Sequence, residues 1–272
     1  MKKELRNNLI MILAIILVIV ALITVSLGIF RKATMKAQNP VATIEVQDFG
    51  TIKVELYPDQ APNTVTNFIT LANRGYYNGL TFHRVIPDFM IQGGDKNGDG
   101  TGTPTLGDLK GTDDTTKYSI KGEMSANGFT DNKLKLEEGV IAMARADYSY
   151  YGKAKEGYNS AGSQFFIMHK DNLSLNGLYA GFGKVIEGMD VVDKIANVEV
   201  TYRSSDLKEG EEAPKDEEGN ELTADMPKNK PIITSISVDT FGIDYGEPET
   251  MEPFDIYRYM MQSYSQSSSE QE

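Results

Sequence analysis

Between Phe82 and Asp95 the chain reads Phe82-His83-Arg84-Val85-Ile86-Pro87-Asp88-Phe89-Met90-Ile91-Gln92-Gly93-Gly94-Asp95. This short stretch joins one guanidinium, several large apolar side chains and one amide, and closes on a Gly-Gly turn. Arg84, Phe89, Met90 and Gln92 are spaced as on a strand with an irregular break at Pro87-Asp88. Even offsets along a strand share a face, so Met90 and Gln92 point the same way, and Arg84 joins them if the break keeps the phase. A cationic donor beside an apolar pocket suits a neutral substrate that carries a carbonyl and a hydrophobic ring. A prolyl peptide is one such substrate.

Other chemistry is poorly represented. The chain has no cysteine, which excludes disulfides and thiolate metal sites, and no tryptophan. His83 and His169 sit beside apolar residues on strand-like segments, where histidines serve as satisfied core groups, and neither belongs to a recognisable triad or metal motif. A hydrolase therefore lacks its constellation. Asp95-Lys96-Asn97-Gly98-Asp99-Gly100 opens like a calcium loop, but its twelfth position is Leu106 in place of glutamate and no flanking helices are evident. We read it as a structural loop.

The elements that must position these residues are short. Thr43 to Val46 and Thr51 to Tyr57 read as a hairpin turning through Gln47-Asp48-Phe49-Gly50, with Ile52, Val54 and Leu56 alternating with polar neighbours. A helix follows: Pro62 fits its first turn, Val65, Phe68, Ile69 and Ala72 line one side, and Gly75 supplies the stop. Thr81 to Ile86, Phe89 to Gln92, Gly139 to Arg145, Gln164 to His169 and Gly181 to Val185 are further short strands. Gly188 to Ala196 reads as a second helix and Pro231 to Asp239 as a last strand. Many short strands with two helices argue for a mainly β protein closed into a barrel, which leaves no exposed edge. Lys96 to Glu138 is a long polar connection, residues 203–230 read as a charged, solvated excursion, and residues 244–272 form an acidic Ser/Gln-rich tail expected to be disordered. Within that tail Phe254, Tyr257 and Met261 are spaced to dock as one or two amphipathic turns.

The N-terminal region has a different character. Leu9 to Phe30 is an apolar run broken only by Thr24, Ser26 and Gly28, flanked by Lys2, Lys3 and Arg6 before it and Arg31, Lys32 and Lys36 after it. About 20 apolar residues span a bilayer, whereas a signal-peptide core needs about 7–15. We expect a transmembrane signal-anchor over 9–30 with residues 1–8 cytoplasmic, a linker over 31–40 and the rest outside; the alternative is a long cleaved signal peptide. Charge follows the same division. Residues 1–40 carry net +5, residues 203–230 carry −4 and residues 244–272 carry −6, within a total of −12. With no basic stripe to follow a phosphate backbone, nucleic-acid binding is disfavoured.

Three blocks in order carry a family resemblance that spans Val41 to Asp239. They are Asn63 to Asp95, then Gly139 to Ala146 with Asn159 to Ile167, then Gly181 to Val192. Together they resemble the cyclophilins, a family of peptidyl-prolyl cis-trans isomerases. The resemblance implies an eight-stranded antiparallel barrel capped by two helices, in a domain over 41–243 that acts on proline-containing polypeptides and uses no cofactor or metal. It implies Arg84 as the catalytic arginine, acting with Phe89 and Gln92. It also implies a proline pocket of Phe89, Met90, Phe166 and Leu175, backbone contacts from Gln92 and Gln164, and an adjoining groove lined by Ala144 and Arg145. Two positions depart from the pattern. Tyr179 stands where many members have a substrate-contacting histidine. Ser174 stands where eukaryotic members often have a tryptophan that favours cyclosporin, so cyclosporin binding is expected to be weak or absent. The architecture suggests a bacterial isomerase assisting exported proteins, with a proline-binding module of little turnover as the rival reading.

Overall fold

The computed structural model describes residue 11, residue 13, residues 15–20, 23–24, 38–208 and 211–269. Residues up to Gln38 and residues from Asn39 onward form two separate compact units. In the first, Met11, Leu13, residues 15–20, Ile23 and Thr24 have helical backbone, and the large apolar side chains among them are exposed. The remainder of the 9–30 run, and all of residues 1–8, lie outside the described residues. Among the described residues, no helix is long and apolar enough to cross a membrane.

The second unit is built on one antiparallel sheet. Its strands are β1 (Val41–Val46), β2 (Gly50–Leu56), β3 (Thr81–Ile86), β4 (Met90–Asp95), β5 (Val140–Met143), β6 (Phe165–Met168), β7 (Gly181–Glu187) and β8 (Ile233–Asp239). They lie in the order β3-β4-β6-β5-β7-β2-β1-β8 and curl into a half-barrel. The outer strands β3 and β8 meet through the bridge Thr81–Ile232 and the backbone bonds Phe82 N to Pro231 O and Ile233 N to Leu80 O. Helix α1 is Pro62–Asn73, with α2 (Leu106–Lys110), α3 (Ala154–Tyr158), α4 (Met189–Ala196) and α5 (Ile256–Ser269).

The expected strands all form, Thr81–Ile86 with the expected bounds and the others with edges displaced by up to three residues. Phe89 lies in the β3–β4 turn; Ala144, Arg145, Gln164 and His169 flank their strands. These displacements have one cause: side-chain alternation marks a strand's interior, whereas ladder hydrogen bonds decide its ends.

The main core fills the inside of the curl. Phe68 from α1 packs among Tyr77, Phe165 and Phe182 at ring separations of 5.2–5.7 Å. Helix α1 has Pro62 in its first turn but only Ala61 as its N-cap. The buried Glu123 carboxylate substitutes for the missing cap, accepting from Asn63 N (3.0 Å), Thr64 N (2.8 Å) and Thr64 Oγ1 (2.7 Å). A negative charge at this end also complements the helix dipole.

The polar connections are more structured than their composition suggests. Residues 96–138 hold α2, closed by a reciprocal Thr105–Asp108 capping box. In the acidic excursion Asp225 is buried and accepts from Ser204 N and Ser204 Oγ. Its own carbonyl accepts from Val85 N at 2.9 Å, and Arg203 Nη1 donates to Val85 O at 2.7 Å. The excursion therefore covers the free edge of β3, satisfying backbone groups that an edge strand otherwise exposes.

The tail departs from the expected disorder. Asn63 and Glu249 exchange two hydrogen bonds, Met251 pairs with Ser119 through both backbone groups, and α5 follows. Composition reports only that such a segment buries little apolar surface; backbone pairing with a distant segment supplies the missing order.

Candidate functional site

A second apolar cluster lies on the outer face of the sheet, separate from the main core. Met90, Leu136, Val140, Ala142, Phe166 and Met168 form it, with Ile86, Phe89, Ala144, Leu175 and Tyr179 packed against it. Register brings the chemistry there. Arg84 lies opposite Gln92, Gln92 opposite Phe166, and Phe166 opposite Ala142, so four side chains from four strands form one row. Met90 and Met168 pair in the next row. The bulge between Phe82 and Arg84 sets the phase that places Arg84 in this row.

Arg84 is half-buried, and among the described residues its guanidinium has no hydrogen-bond or ion-pair partner. An arginine held beside an apolar surface with its donors unused is arranged for a ligand acceptor. This geometry argues against a structural ion pair.

Gln92 is oriented by a relay. Gln164 Nε2 donates to the carbonyls of Gly100 (3.0 Å) and Gly102 (3.1 Å), which accept only. Its Oε1 must then face Gln92, whose Nε2 donates to it at 3.0 Å. The Gln92 carbonyl oxygen is left to accept from a ligand. The loop supplying the two carbonyls is held by the buried Asp95, whose carboxylate accepts from Asp99 N (2.8 Å) and Gly100 N (2.7 Å). A Cβ at Gly102 would lie 1.9 Å from Asp95 Oδ1. The calcium-like segment thus spends this carboxylate on backbone amides.

Phe89 is aimed by the β3–β4 turn, in which Asp88 takes φ of 57°. His169 pins this turn: Asp88 N donates to His169 Nδ1 at 2.9 Å, and His169 N donates to Phe89 O at 2.8 Å. Because Nδ1 accepts, Nε2 carries the proton and donates to Asp193 Oδ1 at 3.0 Å. His83 is buried at the β3 bulge with neither ring nitrogen bonded, and burial lowers its pKa despite the nearby Asp95.

Tyr179 meets Phe166 edge-on at 5.4 Å. Arg145 stacks between Tyr179 (4.7 Å) and Tyr158 (4.9 Å), and donates to Leu178 O and Ala146 O. Expected to line a groove, it does so as a clamp in which Nε and Nη1 already donate to backbone carbonyls. Ser174 is exposed and bonds to Asn172 Oδ1, while Leu175 reaches the cluster from the 3₁₀ turn Leu173–Leu175. All the expected site residues therefore converge. Leu136, Val140, Met168 and Tyr158 escape the sequence reading, and only Val140 and Met168, on strands of known phase, carried a signal for this face; His169 is the satisfied core histidine expected of it, with the added task of holding the Phe89 turn.

The family described as "Cyclophilin type peptidyl-prolyl cis-trans isomerase/CLD" matches residues 41–216. Peptidyl-prolyl cis-trans isomerase B of Bacillus subtilis is 41% identical over 155 residues, covering 57% of this chain and 90% of that protein. A peptidyl-prolyl cis-trans isomerase of Acinetobacter baylyi is 44% identical over 156 residues, covering 56% and 69%. The crystal structure of a cyclophilin-type isomerase from Cryptosporidium parvum, determined in the presence of the dipeptide Ala-Pro, superposes with a TM-score of 0.52 at 28% identity, covering 73% of this chain and 98% of that one.

Proposed function

The chain belongs to the cyclophilin-type peptidyl-prolyl cis-trans isomerase family, and from that premise we propose how its site works and where. Its activity is the interconversion of cis and trans X-Pro bonds in proline-containing peptides. Conjugation gives the amide C–N bond partial double-bond character and a rotational barrier of about 18–20 kcal/mol. The two X-Pro isomers differ by only about 0.5–1 kcal/mol yet exchange over tens to hundreds of seconds. Acceleration needs no covalent step, only tighter binding of the twisted state.

In the twisted state the prolyl nitrogen regains its lone pair. Arg84 donates to it or polarises the adjoining backbone, while Phe89, Met90, Phe166 and Leu175 hold the ring in a low-dielectric pocket that strengthens the contact. Gln92 and Gln164 hold the peptide backbone, Tyr179 supplies ring surface, and Ala144 and Arg145 border the groove. The Arg84 guanidinium, which has no partner among the described residues and stands in the row of Gln92 and Phe166, carries this reading. The bridge between β3 and β8 supports a closed barrel, in a domain spanning 41–243.

We place the isomerase outside a membrane, tethered by residues 9–30 and assisting exported proteins. Support comes from the apolar run and its flanking basic residues. Protease added to intact cells should then degrade the isomerase domain. Survival until the cells are lysed would overturn this placement. Ser174 argues for weak cyclosporin inhibition.

Activity is tested on the full-length chain in detergent micelles, following a short X-Pro peptide. Arg84→Ala should lower kcat/KM by on the order of 10²–10³, the loss typical of one transition-state donor, with circular dichroism unchanged. Full activity in the folded variant would refute the role of Arg84. Tight peptide binding without turnover by the intact chain would favour a binding module.

A further inference from the structure

Helix α5 turns large side chains outward. Tyr257, Met261 and Tyr264 are 76%, 72% and 73% exposed, and their i, i+4, i+7 spacing sets them on one stripe of the helix. Packing on the other side fixes this orientation: Tyr259 lies against Phe254 at 5.9 Å, and Lys153 stands 4.6 Å over the Tyr259 ring. The segment leading into the helix is tied down where Glu249 pairs with Asn63 and Met251 with Ser119. All of α5 lies beyond 41–216, so the family match does not include it. The stripe begins at the substrate groove, since Tyr257 borders the cavity that Gln92 and Gln164 also line.

We propose that this stripe is an exosite for unfolded protein substrates, gripping an apolar stretch several residues away from the proline held in the groove. The inference rests on the isomerase reading of the site. From Tyr257 to Tyr264 the helix rises about 10 Å. An extended chain leaving the groove past Tyr257 covers that distance within roughly three to six residues. Charge selects this occupant over the others that an apolar stripe could take. Residues 244–272 carry net −6 and Arg258 is their single base, so two copies meeting on α5 would repel each other. Helices that lie on lipid carry Lys and Arg along their polar face, and α5 has only that one. An unfolded chain brings apolar side chains to bury, and the carboxylates around the stripe favour any basic residues among them. With its proline already held, the second contact is intramolecular, so it tightens long substrates without altering the chemistry.

The test uses the full-length chain in nanodiscs of zwitterionic lipid and three peptides that share one X-Pro core. One is short, one is extended on both sides by stretches rich in leucine and phenylalanine, and one by stretches rich in serine and glycine. The apolar extension should raise kcat/KM over the polar one on the order of tenfold, through KM. Met261→Gln, at an exposed position outside the groove, should cut that ratio several-fold and leave the short peptide unaffected, while Met261→Leu keeps it. Equal kcat/KM on the two extended peptides, or a ratio unchanged in Met261→Gln, overturns the proposal. Peroxide oxidation of Met261 to the sulfoxide, read by mass spectrometry, reports the occupant directly. The apolar-extended peptide should protect Met261 and the polar-extended one should not. Protection with no peptide present would mean that the bilayer or a second copy already covers the stripe, and overturns the proposal. If no peptide is turned over, the isomerase reading has failed, and the protection of Met261 still decides the exosite.

Discussion

Gln92 Nε2 donates to Gln164 Oε1 at 3.0 Å, and this bond is the last link of a relay that begins at the buried carboxylate of Asp95. The side chain that faces the substrate is thus positioned by the loop that leaves the end of its own strand, acting through Gln164 beside β6.

Gln164→Leu breaks the relay while preserving approximate volume. Gln92 loses its acceptor and its fixed orientation. Isomerase kcat/KM should fall about tenfold, consistent with one hydrogen bond of about 1.4 kcal/mol, measured on a short X-Pro peptide with thermal unfolding recorded in parallel. Retention of full activity would separate the relay from catalysis.

Gly102→Ala attacks the same relay from its far end, because the new methyl would meet Asp95 Oδ1. The loop must shift, withdrawing the carbonyl that Gln164 uses. We expect a several-fold loss of kcat/KM on a short X-Pro peptide, and unchanged activity in the folded variant would separate this loop from the site.

Arg84 separates activity from stability. Its guanidinium has no partner among the described residues, so Arg84→Ala should change unfolding free energy by less than about 1 kcal/mol while activity collapses. Arg84→Lys keeps the charge but lacks the planar fork, and should recover only part of the activity. A large destabilisation in denaturant titration would restore the structural ion-pair account.

Glu123 is the distant cap of α1. Glu123→Ala leaves Asn63 N and Thr64 N unsatisfied in a buried setting, and should destabilise the fold by about 1–3 kcal/mol. Chemical denaturation measures this directly.

His83 adds acid sensitivity. Burial lowers its folded pKa, so the unfolded chain binds the proton more readily. Its contribution is present above the unfolded value near 6.5 and is lost as pH falls below it. The thermal midpoint should therefore drop between pH 7 and pH 5 more steeply in the native sequence than in His83→Phe. Parallel slopes would show that His83 does not carry the effect.

Much of this was legible beforehand. The alternation of Ile52, Val54 and Leu56 marks a strand, and Pro62 with Gly75 brackets a helix, because these signals are local. The Arg84, Phe89, Gln92, Gln164 and Phe166 set was readable because the motif blocks are dense. What stayed hidden is non-local. Nothing near Pro62 points to Glu123, nothing near Tyr179 announces the Arg145 clamp, and the polar tail gives no sign of the Met251–Ser119 pairing. Such contacts depend on which distant segments meet, and periodicity does not encode that.

The pairing of β1 with β8, from Val41 opposite Asp239 to Val46 opposite Ile233, has a temporal consequence. A chain made from its N-terminus completes β1 almost 200 residues before that strand gains its second neighbour. The β1–β2 hairpin must wait with the backbone donors and acceptors of its β1 edge unpaired until the acidic excursion and β8 have been synthesised. Contacts this distant in sequence slow folding and prolong exposure to wrong partners. An isomerase of X-Pro bonds is thereby itself a late finisher, its sheet complete only once β8 has been made.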